Sequence, residues 1–461
     1  MQQQTNTLME RIVSLCKRRG FLFPSSEIYG GLGSVYDYGP LGVELKNNVK
    51  RLWWKTFVQE REDMMGIDSA ILMHPAVWEA SGHLKSFSDP LIDCKKCRKR
   101  FRADHLVPAE PLSPHVFKEK QVDHHPTVCP LCGGELTSAR PFNLMFKTFI
   151  GPVEDATSVA YLRPETAAGM FVNFKQVMDA MHPRLPFGIA QIGKAFRNEI
   201  TTENFIFRTR EFEIMELEYF ATPESAPEKF NEWLSIMKHF ATALGLKSEK
   251  FHDNEKTGAD LAHYSSRTVD LEYQFPFGMN ELWAIANRTD YDLQQHAKAS
   301  GEKLMYRDPV TGKEFTPHVV EPTFGLDRTI LAVLAEAYEE VPVRSGSDET
   351  KKKHESETVL HLPLALAPIK VAVLPLSKKE ALQTEARSIA AGLRKQWMVQ
   401  YDETGAIGKR YRRQDEIGTP FCVTVDFETA NDKKVTVRDR DTMKQERVAI
   451  VELTPYLKTK L

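Results

Sequence analysis

The segment that most constrains how this chain folds is residues 187–220, FGIAQIGKAFRNEITTENFIFRTREFEIMELEYF. Two runs rich in β-branched and aromatic residues flank a short polar connection, 201–204, which is typical of two antiparallel strands joined in a long hairpin. Because successive side chains of a strand point to opposite faces, each strand divides into two sets. One face is predicted to carry Arg197, Glu199, Arg208, Arg210, Phe212, Ile214 and Glu216. The other is predicted to carry Phe207, Thr209, Met215 and Leu217.

The first of these faces has the chemistry of a nucleotide site. Its guanidinium groups match phosphate oxygens, its ring can stack on a base, and its carboxylates can accept hydrogen bonds from an exocyclic amine. The alternative is a solvated face on which the same charges form cross-strand ion pairs. The hairpin pattern alone leaves both interpretations open.

A second signal is EPTFGLDR, residues 321–328, which precedes the apolar run 329–337. The pattern predicts a glycine-containing turn that leads into a helix, with Arg328 in the first turn. A helix dipole does not favour a cation at that end, so Arg328 is expected to serve another partner, such as a phosphate. A surface arginine is the alternative.

Two further segments place charged residues at the ends of predicted strands. In YLRPET, residues 161–166, the strand stops at a proline, and Glu165 either lies at the mouth of a site or caps the next helix. In ELWAIANRTD, residues 281–290, Glu281 could hold Mg²⁺ through its oxygens. Arg288 has the opposite strand parity to Glu281, so both reach one site only if the strand ends or bulges between them.

Four cysteines form two CxxC pairs: Cys94, Cys97, Cys129 and Cys132. The pairs enclose 31 residues, a spacing typical of a structural zinc ribbon with no open ligand position. A ribbon without metal and a redox pair are the alternatives. Cys16 and Cys422 are expected to be buried as small apolar residues.

Length and charge set the domain organisation. The 461 residues suggest about three domains. The net charge of -2 excludes a strongly cationic polymer binder, although residues 370–461, with 18 Lys and Arg against 13 Asp and Glu, favour an anionic partner for that region. The sequence shows neither an apolar run long enough to span a membrane nor the apolar core of a signal peptide. We therefore expect a cytoplasmic protein with reduced thiols and no membrane partner.

The coarse pattern predicts helices and sheets along the whole chain. Leu8, Ile12 and Leu15 mark a first helix that stops at Gly20, and the run 41–54 marks a second. Residues 141–290 predict a mainly antiparallel sheet, and the charged stretch 340–357 predicts a mobile loop or linker. After it, strands at 369–374, 421–425 and 435–437, with amphipathic helices between the first two, indicate an α/β domain.

These motifs together resemble those of class II aminoacyl-tRNA synthetases. FRNE followed by FRTREF resembles their motif 2, GLDR their motif 3, and the Gly39–Pro40 helix entry their dimer-forming motif 1. The strings YGGLGSVYDYGPLGVELKNNVKRLWW, WEASGHL, FNLMFKTF, RPETAAGMFVNF, LPFGIAQIGKAFRNEI and KRYRRQDEIGTPFCVTVDF are similar to the glycyl-tRNA synthetase family of the homodimeric, bacterial-like type. The resemblance covers nearly the whole chain, except the charged linker and the middle of the segment with the CxxC pairs.

The resemblance implies an α+β multidomain fold. Residues 1–85 and 141–339 would form a class II catalytic domain built on an antiparallel sheet, with residues 86–140 as a zinc-ribbon-like insertion. Residues 340–358 would be a charged linker, and residues 359–461 a C-terminal α/β anticodon-binding domain.

The resemblance also implies roles for individual residues. Arg197, Arg328 and Glu281 would act in catalysis: Arg197 at the ATP α-phosphate, Arg328 with Arg208 or Arg210 at the γ-phosphate, and Glu281 through Mg²⁺. The implied ATP site comprises Arg197, Asn198, Glu199, Phe207, Arg208, Thr209, Arg210, Glu211, Phe212, Glu281, Leu282, Gly325, Leu326, Asp327 and Arg328. The implied glycine site comprises Arg102, Glu165, Phe212, Glu213, Ile214, Met215, Glu216, Arg288, Glu321, Pro322, Thr323, Phe324 and Gly325.

The implied activity is the attachment of glycine to tRNA-Gly by a homodimer, through an adenylate made from ATP with Mg²⁺. Glycine has no side chain for the protein to contact, so the site would bind its ammonium and carboxylate groups and exclude larger amino acids by size. The basic segment 409–413 and the strand 435–440 could contact the RNA.

Two alternatives remain at this level. One is a class II ligase for threonine, proline or histidine, which would not be expected to carry the 29–54 and 187–220 strings in this form. The other is a non-catalytic, synthetase-like nucleic-acid-binding subunit, which the presence of Arg197, Glu199, Phe212, Glu281 and Arg328 disfavours. Amino-acid-dependent pyrophosphate exchange separates these possibilities.

Overall fold

The computed structural model describes residues 7–106, 128–342 and 356–461. The first predicted helix is confirmed: Thr7 and Glu10 form a capping box at its start, and Gly20 ends it at φ +73°. The elements up to residue 86 are α1 Leu8–Arg19, β1 Leu22–Pro24, β2 Tyr36–Tyr38, α2 Pro40–Trp54, β3 Met64–Gly66, β4 Leu72–Met73, α3 Pro75–Ala80 and α4 His83–Ser86.

The segment with the CxxC pairs forms a small sheet of its own. Its strands are β5 Ser88–Asp93, β6 Arg100–Arg102 and β7 Arg140–Asn143, in the order β6-β5-β7. Ile92, Ala103 and Leu136 pack with the cysteines in a separate hydrophobic cluster. The middle of the predicted insertion, 107–127, lies outside the described residues.

A seven-stranded sheet forms the centre of the protein. The elements of this region are β8 Lys147–Phe149, β9 Val159–Leu162, α5 Ala167–Val172, α6 Phe174–Met181, β10 Phe187–Phe196, β11 Glu211–Ala221, α7 Ala226–Ala243, β12 Phe251–Lys256, β13 Arg267–Phe275, β14 Gly278–Thr289, α8 Tyr291–Ser300, β15 Tyr306–Arg307, β16 Glu314–Phe315, β17 His318–Gly325 and α9 Leu326–Ala337. The strand order is β12-β13-β14-β17-β11-β10-β3. Every pairing is antiparallel except that of β10 with β3, so the predicted mainly antiparallel sheet is confirmed.

The predicted hairpin is present, but its connection is longer than expected. β10 pairs with β11 from Phe187 opposite Phe220 to Phe196 opposite Glu211. Residues 197–210 form the connection, which includes a 3-10 turn at Phe205–Phe207. Asn204 and Phe205 have φ of +56° and +60°, which interrupts an extended strand. The strand assignment of Arg197, Glu199, Arg208 and Arg210 was therefore wrong.

One face of the sheet is covered by helices and a core of large rings. Phe324 of β17 contacts Trp53, Phe57, Phe240 and Trp283, with ring centroids 4.9–6.0 Å apart. These rings are at most 2% exposed. Burial of each contributes about 1.5–3 kcal/mol, so this face supplies stability and leaves the other face for polar residues.

The predicted linker 340–358 begins and ends in paired strands, which corrects that prediction. β18 Tyr338–Pro342 pairs antiparallel with β19 Ser356–Leu360, from Tyr338 opposite Leu360 to Pro342 opposite Ser356. Main-chain hydrogen bonds hold these charged residues, a contribution that side-chain hydropathy does not reveal. Residues 343–355 lie outside the described residues.

The C-terminal region is a five-stranded sheet with helices, and the three predicted strands are among its five. Its elements are β20 Val371–Pro375, α10 Glu380–Leu393, β21 Val399–Tyr401, α11 Ile407–Glu416, β22 Phe421–Val425, α12 Thr429–Asp432, β23 Lys434–Asp439, β24 Gln445–Ala449 and α13 Leu453–Lys460. The order is β21-β20-β22-β23-β24. The short β21 and the charged β24 were not predicted. No helix within the described residues has the length and apolar character needed to cross a membrane.

Candidate functional site

The face of the central sheet opposite the aromatic core carries the polar site. Phe212, Ile214, Glu216 and Glu218 alternate along β11 and share this face. β17 lies beside β11, with Glu216 opposite Thr323 and Ile214 opposite Gly325. The sheet therefore brings together segments that lie about a hundred residues apart in the chain.

Arg288 is the centre of the predicted glycine site and is only 4% exposed. Its Nε and Nη2 donate to the carboxylate of Asp292 at 2.7 and 2.8 Å, and its Nη1 donates to both oxygens of Glu321 at 2.9 and 3.0 Å. Burial opposes its charge, but Asp292 and Glu321 raise the pKa of Arg288 well above its usual value. The guanidinium is therefore charged and fixed in position.

A bulge in β14 allows Glu281 and Arg288 to face the same side, as the parity argument required. Glu281 pairs with Glu272, whereas Trp283 pairs with Leu271, so Leu282 is an extra residue in β14. A second irregularity lies at Arg288, between Asn287 and Thr289. The bulges re-aim these two side chains without breaking the sheet.

Two more glutamates predicted to bind glycine lie beside Arg288. Glu216 accepts hydrogen bonds from Thr166 N at 3.1 Å and from Thr323 Oγ1 at 3.0 Å. Burial and the charge of Glu165 raise the pKa of Glu216. Glu165 pairs with His83, Oε2 to Nε2, at 3.3 Å. Burial would raise the pKa of Glu165, but His83, Arg288 and Arg197 hold it at about 2, so this carboxylate is ionised.

The predicted catalytic arginines lie toward the open end of the same face. Arg197 donates from Nε to Pro164 O at 3.1 Å, and its guanidinium lies 5.3 Å from the ring of Phe87 and 5.4 Å from that of Phe212. Arg328 lies over Phe207 at 4.4 Å and pairs with Glu281, Nη1 to Oε1, at 3.2 Å. Both arginines are thus positioned beside aromatic rings rather than packed in the core.

The hairpin connection presents buried polar atoms that have no partner among the described residues. Glu199 Oε2 and Arg208 Nη1 are both in this state. Arg210 instead donates to Glu199 O at 3.1 and 3.2 Å and to Gly33 O at 2.6 Å. Buried polar groups are normally hydrogen-bonded, so the two free atoms fit a polar ligand such as a nucleotide. Arg208, rather than Arg210, is available to it.

Several predicted site residues have side chains that the fold uses elsewhere: Glu213, Met215, Leu282, Pro322, Phe324, Leu326 and Asp327. Glu213 and Met215 alternate with the site-facing residues of β11, so strand parity separates them from the predicted glycine site. Glu213 pairs with Lys46 at 2.6 Å, and Asp327 accepts from Glu213 N at 2.8 Å. Pro322 alternates with Glu321 and Thr323 and is buried. The other residues lie in the hydrophobic core.

Four other predicted residues make contacts of their own. Asn198 N donates to Leu144 O at 2.8 Å, Thr209 Oγ1 donates to Glu211 O at 2.9 Å, and Glu211 pairs with Lys194. Arg102 is held within the insertion by Asp89 at 2.6 Å and Asp104 at 2.7 Å, rather than by the carboxylates around Arg288.

The arginines predicted to contact RNA are largely structural, which corrects that expectation. Arg410 and Arg438 are 2% and 3% exposed. Arg438 donates to both oxygens of Asp415 at 2.9 Å, and Arg413 Nε donates to Asp402 at 3.0 Å. Arg440 donates to Leu362 O at 3.0 Å. Charge content alone does not distinguish such buried arginines from a solvated basic surface.

The sequence reasoning missed residues that complete the site: His83, Glu218, Asp270 and Asp292. Burial and the charge of Glu281 raise the pKa of Asp270 to about 6, and Asp270 pairs with Lys256 at 2.8 Å. Asp292 lies four residues after Arg288, and Glu218 two residues after Glu216. Those spacings could have indicated Asp292 and Glu218, whereas nothing in the sequence distinguished His83 from a surface histidine.

The four cysteines of the CxxC pairs converge as predicted. One Sγ–Sγ distance is 3.5 Å, Cys94 to Cys132, another is 3.8 Å, Cys97 to Cys129, and all four sulfurs lie within 4.8 Å of one another. Ligands about 2.3 Å from a tetrahedral Zn²⁺ would lie about 3.8 Å apart, so the cluster fits that ion. A Cβ on Gly134 would lie 3.3 Å from two of the sulfurs and 2.5 Å from Lys96 Cβ, which explains the glycine.

The antiparallel sheet, its three motif segments and the C-terminal α/β region define a class II aminoacyl-tRNA synthetase. Residues 151–337 match the family model of the tRNA synthetase class II core domain (G, H, P, S and T), and residues 370–460 match that of the anticodon binding domain. A crystal structure titled as the RNA binding domain of threonyl-tRNA synthetase from Cryptosporidium parvum Iowa II has a TM-score of 0.65 at 18% identity, with 98% of each chain covered, and shares the fold.

Full-length relatives give the narrower family. The chain is 53% identical to a glycine–tRNA ligase from Caldanaerobacter subterraneus subsp. tengcongensis, with 98% of each chain covered. It is 53% identical to that from Geobacillus thermodenitrificans, with 98% of this chain and 97% of the relative covered, and 54% identical to that from Clostridium perfringens, with 98% of each covered. The chain belongs to the glycine–tRNA ligase family.

Proposed function

We propose that the protein attaches glycine to tRNA-Gly in two steps, by forming glycyl-adenylate from glycine and ATP and then transferring the glycyl group to the tRNA 3′ end. The observation that carries this proposal is the buried Arg288 surrounded by Glu165, Glu216 and Glu321. This set offers one cation to a carboxylate and several carboxylates to an ammonium group. This charge pattern is complementary to that of an α-amino acid.

In the first step the protein's contribution is position and charge. Arg197 would hold the α-phosphate while the glycine carboxylate attacks phosphorus, with Phe212 supporting the adenine ring. The unpartnered Glu199 Oε2 and Arg208 Nη1 would form hydrogen bonds with the nucleotide, and Arg328 would hold the leaving phosphates. Glu281, with Asp270, would hold Mg²⁺, which would supply positive charge to offset that of the phosphates.

In the second step a tRNA hydroxyl attacks the carbonyl of the adenylate, and AMP leaves. A cleft of about 210 Å³ lies between the insertion and the hairpin connection and presents Arg100, Arg140 and Arg210. Arg100 and Arg140, whose side chains are 71% and 59% exposed, suit the phosphates of a nucleic acid, whereas Arg210 is held by main-chain carbonyls. We propose that the acceptor end of tRNA approaches through this cleft and that residues 370–460 bind the anticodon arm.

Amino-acid-dependent ATP–pyrophosphate exchange tests the activity. The purified protein is assayed with glycine, alanine, serine, threonine, proline and histidine. Exchange with glycine alone is expected if the site excludes larger amino acids by size, since overpacking costs about 1–3 kcal/mol or more. Exchange with another amino acid would contradict the glycine assignment but would still support a class II aminoacyl-tRNA synthetase. No exchange from folded protein would favour a non-catalytic, nucleic-acid-binding subunit.

His83→Phe is expected to raise the KM for glycine about tenfold or more. The phenyl ring keeps the edge contacts with Trp78 and Phe87 but loses the bond to Glu165, and hydrogen bonds to charged groups contribute about 1.5–3 kcal/mol. Glycine titrations of exchange activity measure the change. His74→Asn, which alters an exposed capping histidine, is the control. An unchanged KM would remove His83 from the site.

We propose that the cysteine cluster binds one structural zinc ion per chain. Metal analysis of gently purified protein is expected to find about one Zn²⁺, and Cys94→Ser should lose most of it because three thiolates bind zinc less tightly than four. Cys16→Ala, at a buried cysteine outside the cluster, should keep the zinc. Wild-type protein without zinc would contradict this proposal.

We also propose a cytoplasmic homodimer. α2, the helix of the motif 1 resemblance, is accompanied by a loop whose apolar side chains are exposed: Ile28 at 89%, Tyr29 at 86% and Leu32 at 62%. Such a group of exposed apolar residues suits a protein interface. Analytical ultracentrifugation is expected to give twice the mass of one chain. The six unpaired cysteines suit a reducing compartment.

A further inference from the structure

Glu218 is a buried carboxyl group for which the proposed reaction gives no role. It lies on the site face of β11, is 0% exposed, and neither of its oxygens has a hydrogen-bond partner within the described residues. One of its oxygens lies within 4.8 Å of oxygens of both Glu216 and Glu321. An unpartnered polar group this deeply buried calls for a physical explanation.

The charged groups that face Glu218 come from four elements. They are Glu216 of its own strand, Glu321 of β17, Arg288 of β14 and Asp292 of α8. Three are carboxylates, and the single guanidinium is already engaged by Asp292 and Glu321. Glu218 therefore has excess negative charge around it and no donor.

An ionised Glu218 would be an unpaired charge in a low-dielectric interior, which costs several kcal/mol. Burial and the charge of Glu321 accordingly raise the pKa of Glu218 well above its usual value. Within the pair, Arg288 hydrogen-bonds Glu321 directly, whereas it lowers the pKa of Glu218 only through space and donates no hydrogen bond to it. A proton held between them therefore resides on Glu218.

We propose that Glu218 is a positioning residue: a neutral carboxylic acid that donates its proton to the carboxylate of Glu321 and so orients Glu321 toward the glycine ammonium. The inference rests on the proposed function and extends it by one residue that does not touch the substrate. Glu321 would then be fixed by Arg288 on one side and by Glu218 on the other. The pocket would also carry one negative charge fewer than its glutamates suggest.

A pH dependence follows from this arrangement. At neutral pH Glu218 is protonated and donates to Glu321. As the pH rises through its elevated pKa, it ionises, loses the donor and repels Glu321. The kcat/KM for glycine should therefore fall at alkaline pH. An amide at position 218 donates at every pH, so Glu218→Gln should keep only the fall that comes from deprotonation of the glycine ammonium group itself.

The test compares Glu218→Gln with Glu218→Leu in the full-length protein, with exchange measured over a range of pH and glycine concentration. Glu218→Gln is expected to keep kcat/KM for glycine within about threefold of wild type at neutral pH. Glu218→Leu is expected to lose about ten- to hundredfold, mainly through KM, because Glu321 loses its second donor. Glu255→Gln, at an exposed carboxylate of β12, is the control and should change nothing.

Infrared difference spectroscopy of wild type against Glu218→Gln gives a readout that needs no activity. The carbonyl stretching band of a protonated carboxyl group should be present in wild type and absent from the variant. An absent band would overturn the proposal and indicate an ionised Glu218 that holds a cation. Equal losses in both variants, or none in either, would also overturn it. Lack of glycine exchange by wild type would instead count against the proposed function.

Discussion

Arg197→Ala is expected to lower the rate of glycine-dependent ATP–pyrophosphate exchange on the order of 10³-fold, because removal of one charge-stabilising donor costs about 10²–10³ and Arg197 would meet the reacting phosphate itself. Its guanidinium lies between the rings of Phe87 and Phe212 and makes one hydrogen bond, to Pro164 O. Few structural contacts depend on it. Folding and oligomeric state should therefore remain those of wild type.

Lys194→Ala is the matched control for Arg197→Ala. It removes a cation from β10, just before the hairpin connection that carries Arg197, but Lys194 is half-exposed and pairs with Glu211. Exchange should stay near the wild-type rate. Near-normal exchange by Arg197→Ala would show that motif 2 is wrongly assigned, whereas an equal loss in the control would show that the hairpin responds to any change of charge.

Arg288→Met is expected to abolish measurable glycine activation and to lower the free energy of unfolding by about 3–5 kcal/mol, because it leaves two buried carboxylates without their cation. Asp292 and Glu321 are 3% and 7% exposed, and each receives two hydrogen bonds from Arg288. Urea denaturation measures the stability, and exchange at saturating glycine measures the activity. Stability and function are predicted to be lost together at this residue.

Arg288→Lys separates the two effects. Lysine keeps the charge but cannot reproduce the planar fork, so it should recover much of the stability and little of the glycine affinity. Arg267→Met is the control, since it removes an arginine from the partly exposed pair with Glu255 and should cost less than about 1 kcal/mol. Full activity in Arg288→Met would contradict the role of Arg288 in glycine binding.

The positions of Arg197 and Arg288 in the central sheet explain why the two substitutions are expected to differ in their effect on stability. Arg197 lies in the hairpin connection, where its neighbours are rings and a main-chain carbonyl. Arg288 lies at a strand irregularity inside the sheet, and its partners are carboxylates from β17 and α8. A residue at the open end can thus act on the substrate alone, whereas one inside the sheet also compensates buried charge.

The local sequence pattern determined a large part of this protein. Alternation in 187–220 predicted the hairpin and placed Phe212, Ile214 and Glu216 on one face. The parity of Glu281 and Arg288 required a strand end or a bulge if both reach one site, and the strand has a bulge. The CxxC spacing predicted the sulfur cluster, and Gly20 predicted the end of α1. Each of these features depends on residues close together in the chain, so strand period, turn chemistry and capping are sufficient to predict it.

Only the tertiary structure decided which charges are free and which are buried. Arg410 and Arg438 are part of a predicted basic surface, but they are buried and hydrogen-bonded. Residues 340–342, at the start of the charged stretch, pair antiparallel with residues 356–358. The partners of Glu165, Glu216 and Arg288 come from distant segments, His83, Thr166 and Glu321. Burial and pairing depend on which segments meet across the sheet, and the local pattern of charges does not contain that information.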